Sequence, residues 1–150
     1  MTKLLLTLHV LAAIMAVGPV AVAASMFPPA ARRADGEAAV HTVRLLHRIC
    51  RVYSGIGIAV PALGFATAAA MGVLGSGWLV ASITLTAVAA GLLIAFVLPR
   101  QDELLAELDA GRPVERPVTV RLAMFTGVFN LLWAAVTVLM IVRPGSTTGA

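Results

Sequence analysis

Four apolar segments, about Leu4–Phe27, Val52–Leu74, Trp78–Leu98 and Thr119–Val142, dominate the 150-residue chain. Each is about 20 residues or slightly longer, enough at ~1.5 Å per residue for a helix to cross a hydrocarbon layer of ~30 Å. None carries Asp, Glu, Lys or Arg in its interior. In lipid, only helices or closed barrels satisfy every backbone N–H and C=O, and runs this long and continuous read as helices. Composition agrees: 60% of the residues are hydrophobic and 12% charged, against roughly 25% charged in a soluble domain. A chain this short cannot hide so much apolar surface in one aqueous core. The sequence predicts an all-α integral membrane four-helix bundle, a single transmembrane domain over residues 1–150.

The net charge of +4 would suggest a nucleic-acid partner in another setting. Here the basic residues flank apolar spans, so they report orientation in the bilayer and no nucleic acid is implied. Arg32, Arg33, Arg44, Arg48, Arg51, Arg100, Arg112 and Arg116 fall between spans one and two or between three and four, and Arg121 stands at the entry to span four on the same side. Only Lys3 and Arg143 fall on the opposite side. The positive-inside rule therefore places both long loops in the cytoplasm and both termini outside. Span one follows Lys3 and runs to Ala21-Val22-Ala23, the outline of a signal peptide. Its apolar core is longer than a usual signal core, so it is expected to remain as a helix.

The loops carry structure of their own. Pro28-Pro29 is expected to stop the first helix, because proline lacks the backbone donor and restricts the residue before it. From Glu37 the pattern turns helical and is expected to run unbroken into span two as an amphipathic cytoplasmic extension. QDELLAELDA, residues 101–110, reads as a short amphipathic helix between spans three and four, with Leu104, Leu105 and Leu108 on one face and Gly111 as its stop. The tail GSTTGA is expected to fray.

Aromatic residues make up only 5% of the chain, so the spans must pack through small residues. His9, Ala13, Ala16, Val20 and Ala23 line one side of span one, with Leu4, Leu11, Met15 and Val22 on the other. Span two offers Gly57, Pro61, Gly64 and Ala68, with Pro61 a candidate kink. Span four aligns Thr126, Asn130, Ala134 and Thr137. Asn130 should bond a neighbouring helix, since an unpaired amide in lipid costs several kcal/mol.

Two groups of residues could carry chemistry. His41, Arg44, Arg48 and Arg51 form a basic stripe with His47 beside it. It could hold an anionic group, rest on anionic lipid headgroups, or pair with Asp102, Glu103, Glu107 and Asp109. The single cysteine, Cys50, excludes an intrachain disulfide and is expected to be a buried small residue.

His9 is the other candidate. It can be a hydrogen-bonded packing residue, a haem or copper ligand, or a proton relay, although no intramembrane carboxylate accompanies it. Met71 and Met140, near the same ends of their spans, are the candidate second ligands, since a His–Met pair suits haem iron and Cu(I). Lys3 and Arg143 are the nearest cations for a haem propionate. His47 is expected on the far side of the membrane from His9.

LHVLAAIMAVGP, the Arg-rich RLLHRICRVY and the closing RLAMFTGVFNLLWAAVTVLMIVRPG together resemble an actinobacterial group of integral membrane proteins classified only as a domain of unknown function. More distantly they resemble the copper-resistance D-like proteins and the membrane-bound haem-containing protoporphyrinogen oxidases. His9, Arg48, Asn130, Arg143 and Pro144 match that outline. Those oxidases have an intramembrane lysine and a further histidine around helix three, and GWLVASITLTAVAAGLLIAFVLP has neither. The resemblance thus implies haem b binding without protoporphyrinogen oxidation, with copper as second choice, in the cytoplasmic (inner) membrane of a bacterium. Two functions stay open: a haem- or metal-binding redox protein centred on His9, and a non-catalytic scaffold or accessory subunit. The second would associate through small-residue helix faces, as a homo-oligomer or within a larger membrane complex.

Overall fold

A computed structural model describes residues 1–145. Six α-helices follow in order: α1 (Thr2–Arg32), α2 (Glu37–Ile56), α3 (Ala59–Met71), α4 (Gly77–Leu92), α5 (Leu98–Asp109) and α6 (Arg116–Val142). A five-residue π-helical stretch, Leu93–Val97, joins α4 to α5, and no strand occurs among the described residues. These pieces make four rods long and apolar enough to cross a membrane: Thr2–Arg32, Glu37–Met71, Gly77–Asp109 and Arg116–Val142. The last five residues of the GSTTGA tail lie outside the described residues.

The first rod corrects an expectation. Helix α1 does not stop at Pro28-Pro29 but runs through both prolines to Arg32. Phe27, Pro28 and Ala31 are buried against the neighbouring helices. Packing of that turn outweighs the two lost backbone bonds, which leave the Ala24 and Ser25 carbonyls without their usual donors. The chain turns only at Gly36, whose φ of 86° favours glycine.

The helix that starts at Glu37 runs unbroken into span two as expected, and the second rod is interrupted only farther along, near the expected kink at Pro61. Helix α2 ends at Ile56 and α3 resumes at Ala59. Pro61 has no N–H for the Gly57 carbonyl, which instead accepts from the Val60 N–H at 3.1 Å. Helix α3 then closes at left-handed Gly72, with the Val73 N–H reaching back to the Ala68 carbonyl.

The third rod also differs from expectation. The amphipathic helix over 101–110 is not a separate element but continues span three through the π-helical stretch into α5. Pro99, in the first turn of α5, cannot donate to the Ala95 carbonyl, and the widened turn accommodates its ring. The expected face holds, since Leu104 and Leu105 are buried and Leu108 packs beside them. Gly111, at φ 72°, provides the stop.

Helix α1 packs on α2, α3 and α6, while α4 packs on α6 and α5 on α2. The loops around Gly36 and Gly111 line one shared hollow, so both meet at one end of the bundle. The main core, around Phe27, Val43, Cys50, Val97 and Leu122, lies toward that arginine-rich end. A smaller cluster of Ala68, Trp78 and Leu79, with Met140 against it, closes the other end. Ile14, Met15, Ile58 and Leu131 are exposed outward, as lipid-facing residues must be.

The small-residue row of α1 faces inward as expected, with His9, Ala16, Val20 and Ala23 buried. On α6 the expected row holds only in part. Thr126 is buried, but Ala134 and Thr137 are exposed, and Phe129, Trp133 and Val136 continue the inner face.

Candidate functional site

His9 sits on the inner face of α1, where it meets α3 just past the helix interruption. Its Nδ1 lies 2.9 Å from the Val60 carbonyl oxygen. A carbonyl only accepts, so this bond requires the proton on Nδ1 and leaves Nε2 with its lone pair outward. The ring approaches closely because residue 64 is glycine. A Cβ at Gly64 would stand 2.8 Å from His9 Cε1 and 3.1 Å from Nδ1. Nε2 has no hydrogen-bond partner among the described residues and, unlike His47 Nε2, is not a sealed, unpartnered atom.

The other expected members lie farther toward the terminal end. Met71 is seven residues beyond Gly64, roughly 10 Å along the helix. Met140 packs on the Ala68–Trp78–Leu79 cluster. Arg143 donates from Nε to the Met140 carbonyl at 3.3 Å and stacks its guanidinium 5.7 Å from the centre of the Trp78 ring. Among the described residues, no three His, Cys, Asp or Glu side chains come together to hold a metal ion.

His47 occupies a second polar site, at the arginine-rich end. Its Nδ1 is 2.8 Å from Gln101 Oε1, and the Gln101 amide donates to Cys50 Sγ at 3.6 Å. Gln101 and Cys50 are fully enclosed, and the Phe27 ring meets the imidazole edge-on. Asp102 Oδ1 lies 2.9 Å from Nε2 but off the line of a ring N–H. The network ties α2 to α5 across 54 residues of sequence.

The basic stripe divides. Arg44 pairs with Asp109, whereas Arg48 and Arg51 are exposed and make no ion pair with the described residues. Beyond the apolar stretch, Arg112 forks onto both carboxylate oxygens of Glu107 and holds that carboxyl below its usual range.

A family described as predicted integral membrane protein, DUF2269, matches residues 3–144 of this sequence. The chain belongs to that family. No curated protein matches it, and no solved structure does.

Within this DUF2269 chain, the spacing of small residues gave the packing face of His9 but not its partners. Gly64 was visible as one of a row of small residues, and Val60 contributes only a backbone carbonyl, which no sequence pattern marks. His47 read as a flank of the arginine stripe. Its burial could have been found from Val43, Leu46, His47 and Cys50, which recur at helical spacing along one face of α2.

Proposed function

We infer that this protein binds one haem b through His9 and serves as a redox component of a bacterial cytoplasmic membrane. The observation that supports this reading is the bond from His9 Nδ1–H to the Val60 carbonyl. Metal-binding histidines have this arrangement: the second ring nitrogen is tied to a carbonyl, which fixes the tautomer and directs the free lone pair. A lone imidazole is a poor site for a bare ion, whereas a porphyrin brings its own ring nitrogens, so haem ranks ahead of copper. Bound haem supplies one-electron exchange. Met71 and Met140 lie toward that end as candidate second ligands, and Lys3 and Arg143, the latter fixed over Trp78, are the cations suited to a propionate. In this reading the termini face outside and the arginine-rich loops lie in the cytoplasm.

A second reading draws on the same bond. His9 clamps α1 to α3 where Pro61 has loosened the backbone, a purely structural task suited to a scaffold or accessory subunit. Such a subunit would use small-residue faces to meet a second copy or a larger complex.

The two readings separate in one experiment. Protein purified after expression with ample haem should show a Soret band that His9→Ala removes and His47→Ala leaves, with copper content measured in parallel. A colourless, copper-free preparation whose His9→Ala variant loses only thermal stability assigns the histidine to the clamp.

A further inference from the structure

Span three and α6 each carry an aromatic ring with an arginine one helical turn nearer the arginine-rich end. On span three these are Phe96 and Arg100; on α6, which runs the opposite way, they are Phe125 and Arg121. The two rings stack, with centroids 5.1 Å apart and planes inclined by 20°. Above them, Arg100 and Arg121 line one groove of about 230 Å³ with Pro117, Val118 and Leu122. Phe96 belongs to the π-helical stretch, the one place where the rod leaves regular α geometry. Such widened turns re-aim side chains and recur at binding sites. Below the groove, Phe96 and Met124 are exposed outward to the bilayer.

We propose that this groove binds one anionic phospholipid, the phosphodiester held between Arg100 and Arg121 and the acyl chains laid along the Phe96–Phe125 face. The charges support a lipid of this class. Arg121 makes no ion pair with the described residues. Arg100 is engaged by one nitrogen only, with Glu103 at 2.9 Å, in an exposed pair of the weak kind. Both guanidinium groups keep N–H donors suited to phosphate oxygens. Glu115 also lines the groove and opposes an anion, so its removal should tighten binding. The depth favours a lipid over a soluble phosphate, because cations sit at the membrane boundary directly above an apolar, lipid-facing surface. This site shares no residue with the His9 region and does not depend on haem.

Native mass spectrometry of the full chain, titrated with phosphatidylglycerol or phosphatidylcholine in detergent, tests the proposal. Phosphatidylglycerol should be retained preferentially. The Arg100→Gln/Arg121→Gln double variant should lose that preference by roughly tenfold or more, while Arg48→Gln/Arg51→Gln keeps the first bound lipid. Glu115→Gln, which removes no cation and no packing, should raise retention. Phe96→Ala/Phe125→Ala should weaken it without changing any charge. Equal retention of the two lipids, an unaltered Arg100→Gln/Arg121→Gln variant, unchanged or weakened retention in Glu115→Gln, or displacement by millimolar inorganic phosphate would overturn the proposal.

Discussion

His9 and Gly64 fit each other across the α1–α3 contact so closely that no side-chain carbon can be inserted at position 64 without moving the ring, since the added Cβ would lie 2.8 Å from His9 Cε1. The bond to Val60 that fixes the imidazole depends on this fit. Gly64→Ala should therefore destabilise the protein by about 1–3 kcal/mol through overpacking, although alanine is ordinarily the better helix former by about 1 kcal/mol. Thermal unfolding in detergent measures this. In a His9→Ala background the ring is gone, and the same substitution should become neutral or stabilising. A Gly64→Ala protein as stable as the parent would show that the ring has room to move.

Gln101→Leu removes the partner of His47 Nδ1 inside an enclosed site. Leaving a buried polar group unpaired costs about 1–3 kcal/mol, so the melting temperature should fall by several degrees. His47→Leu/Gln101→Leu removes both partners and should recover part of that loss. If Gln101→Leu melts with the parent protein, the α2–α5 network contributes nothing to stability.

Asn130 donates to Ser25 Oγ at 3.0 Å, linking α6 to α1 within the membrane. Ser25→Ala should cost about 0.6 kcal/mol, the average for such bonds between membrane helices. Thr126 offers the opposite case. Thr67, Thr84, Thr86 and Thr137 each return their hydroxyl to a carbonyl of their own helix, while Thr126 Oγ1 is buried without a partner among the described residues. Thr126→Val should be neutral or stabilising in the same unfolding assay. A marked loss of stability in that variant would reveal a partner for its hydroxyl.

Orientation can be checked with single cysteines in a Cys50→Ala background. A cysteine at Gly111 should resist impermeant maleimide in intact cells and react after permeabilisation. One at Lys3 should react in both. Strong labelling at position 111 in intact cells would invert the assignment drawn from the arginines.

The sequence by itself determined the four spans, the end at which the arginines gather and the inward face of α1. Lipid imposes those features locally: backbone groups must pair within the segment, charge must stay outside the hydrocarbon, and close helix approach needs small side chains. Only the tertiary structure decided that α1 continues through Pro28-Pro29, because the gain comes from burying Phe27 and Pro28 against other helices. It also decided the partners of both histidines. Val60 is 51 residues from His9, and Gln101 is 54 residues from His47. Likewise, Phe96 meets Phe125 from within the widened turn, and Pro99 gives little sign of that pairing in sequence. A residue's need to be buried or paired is a local property, but which group meets that need depends on helices brought together from distant parts of the chain.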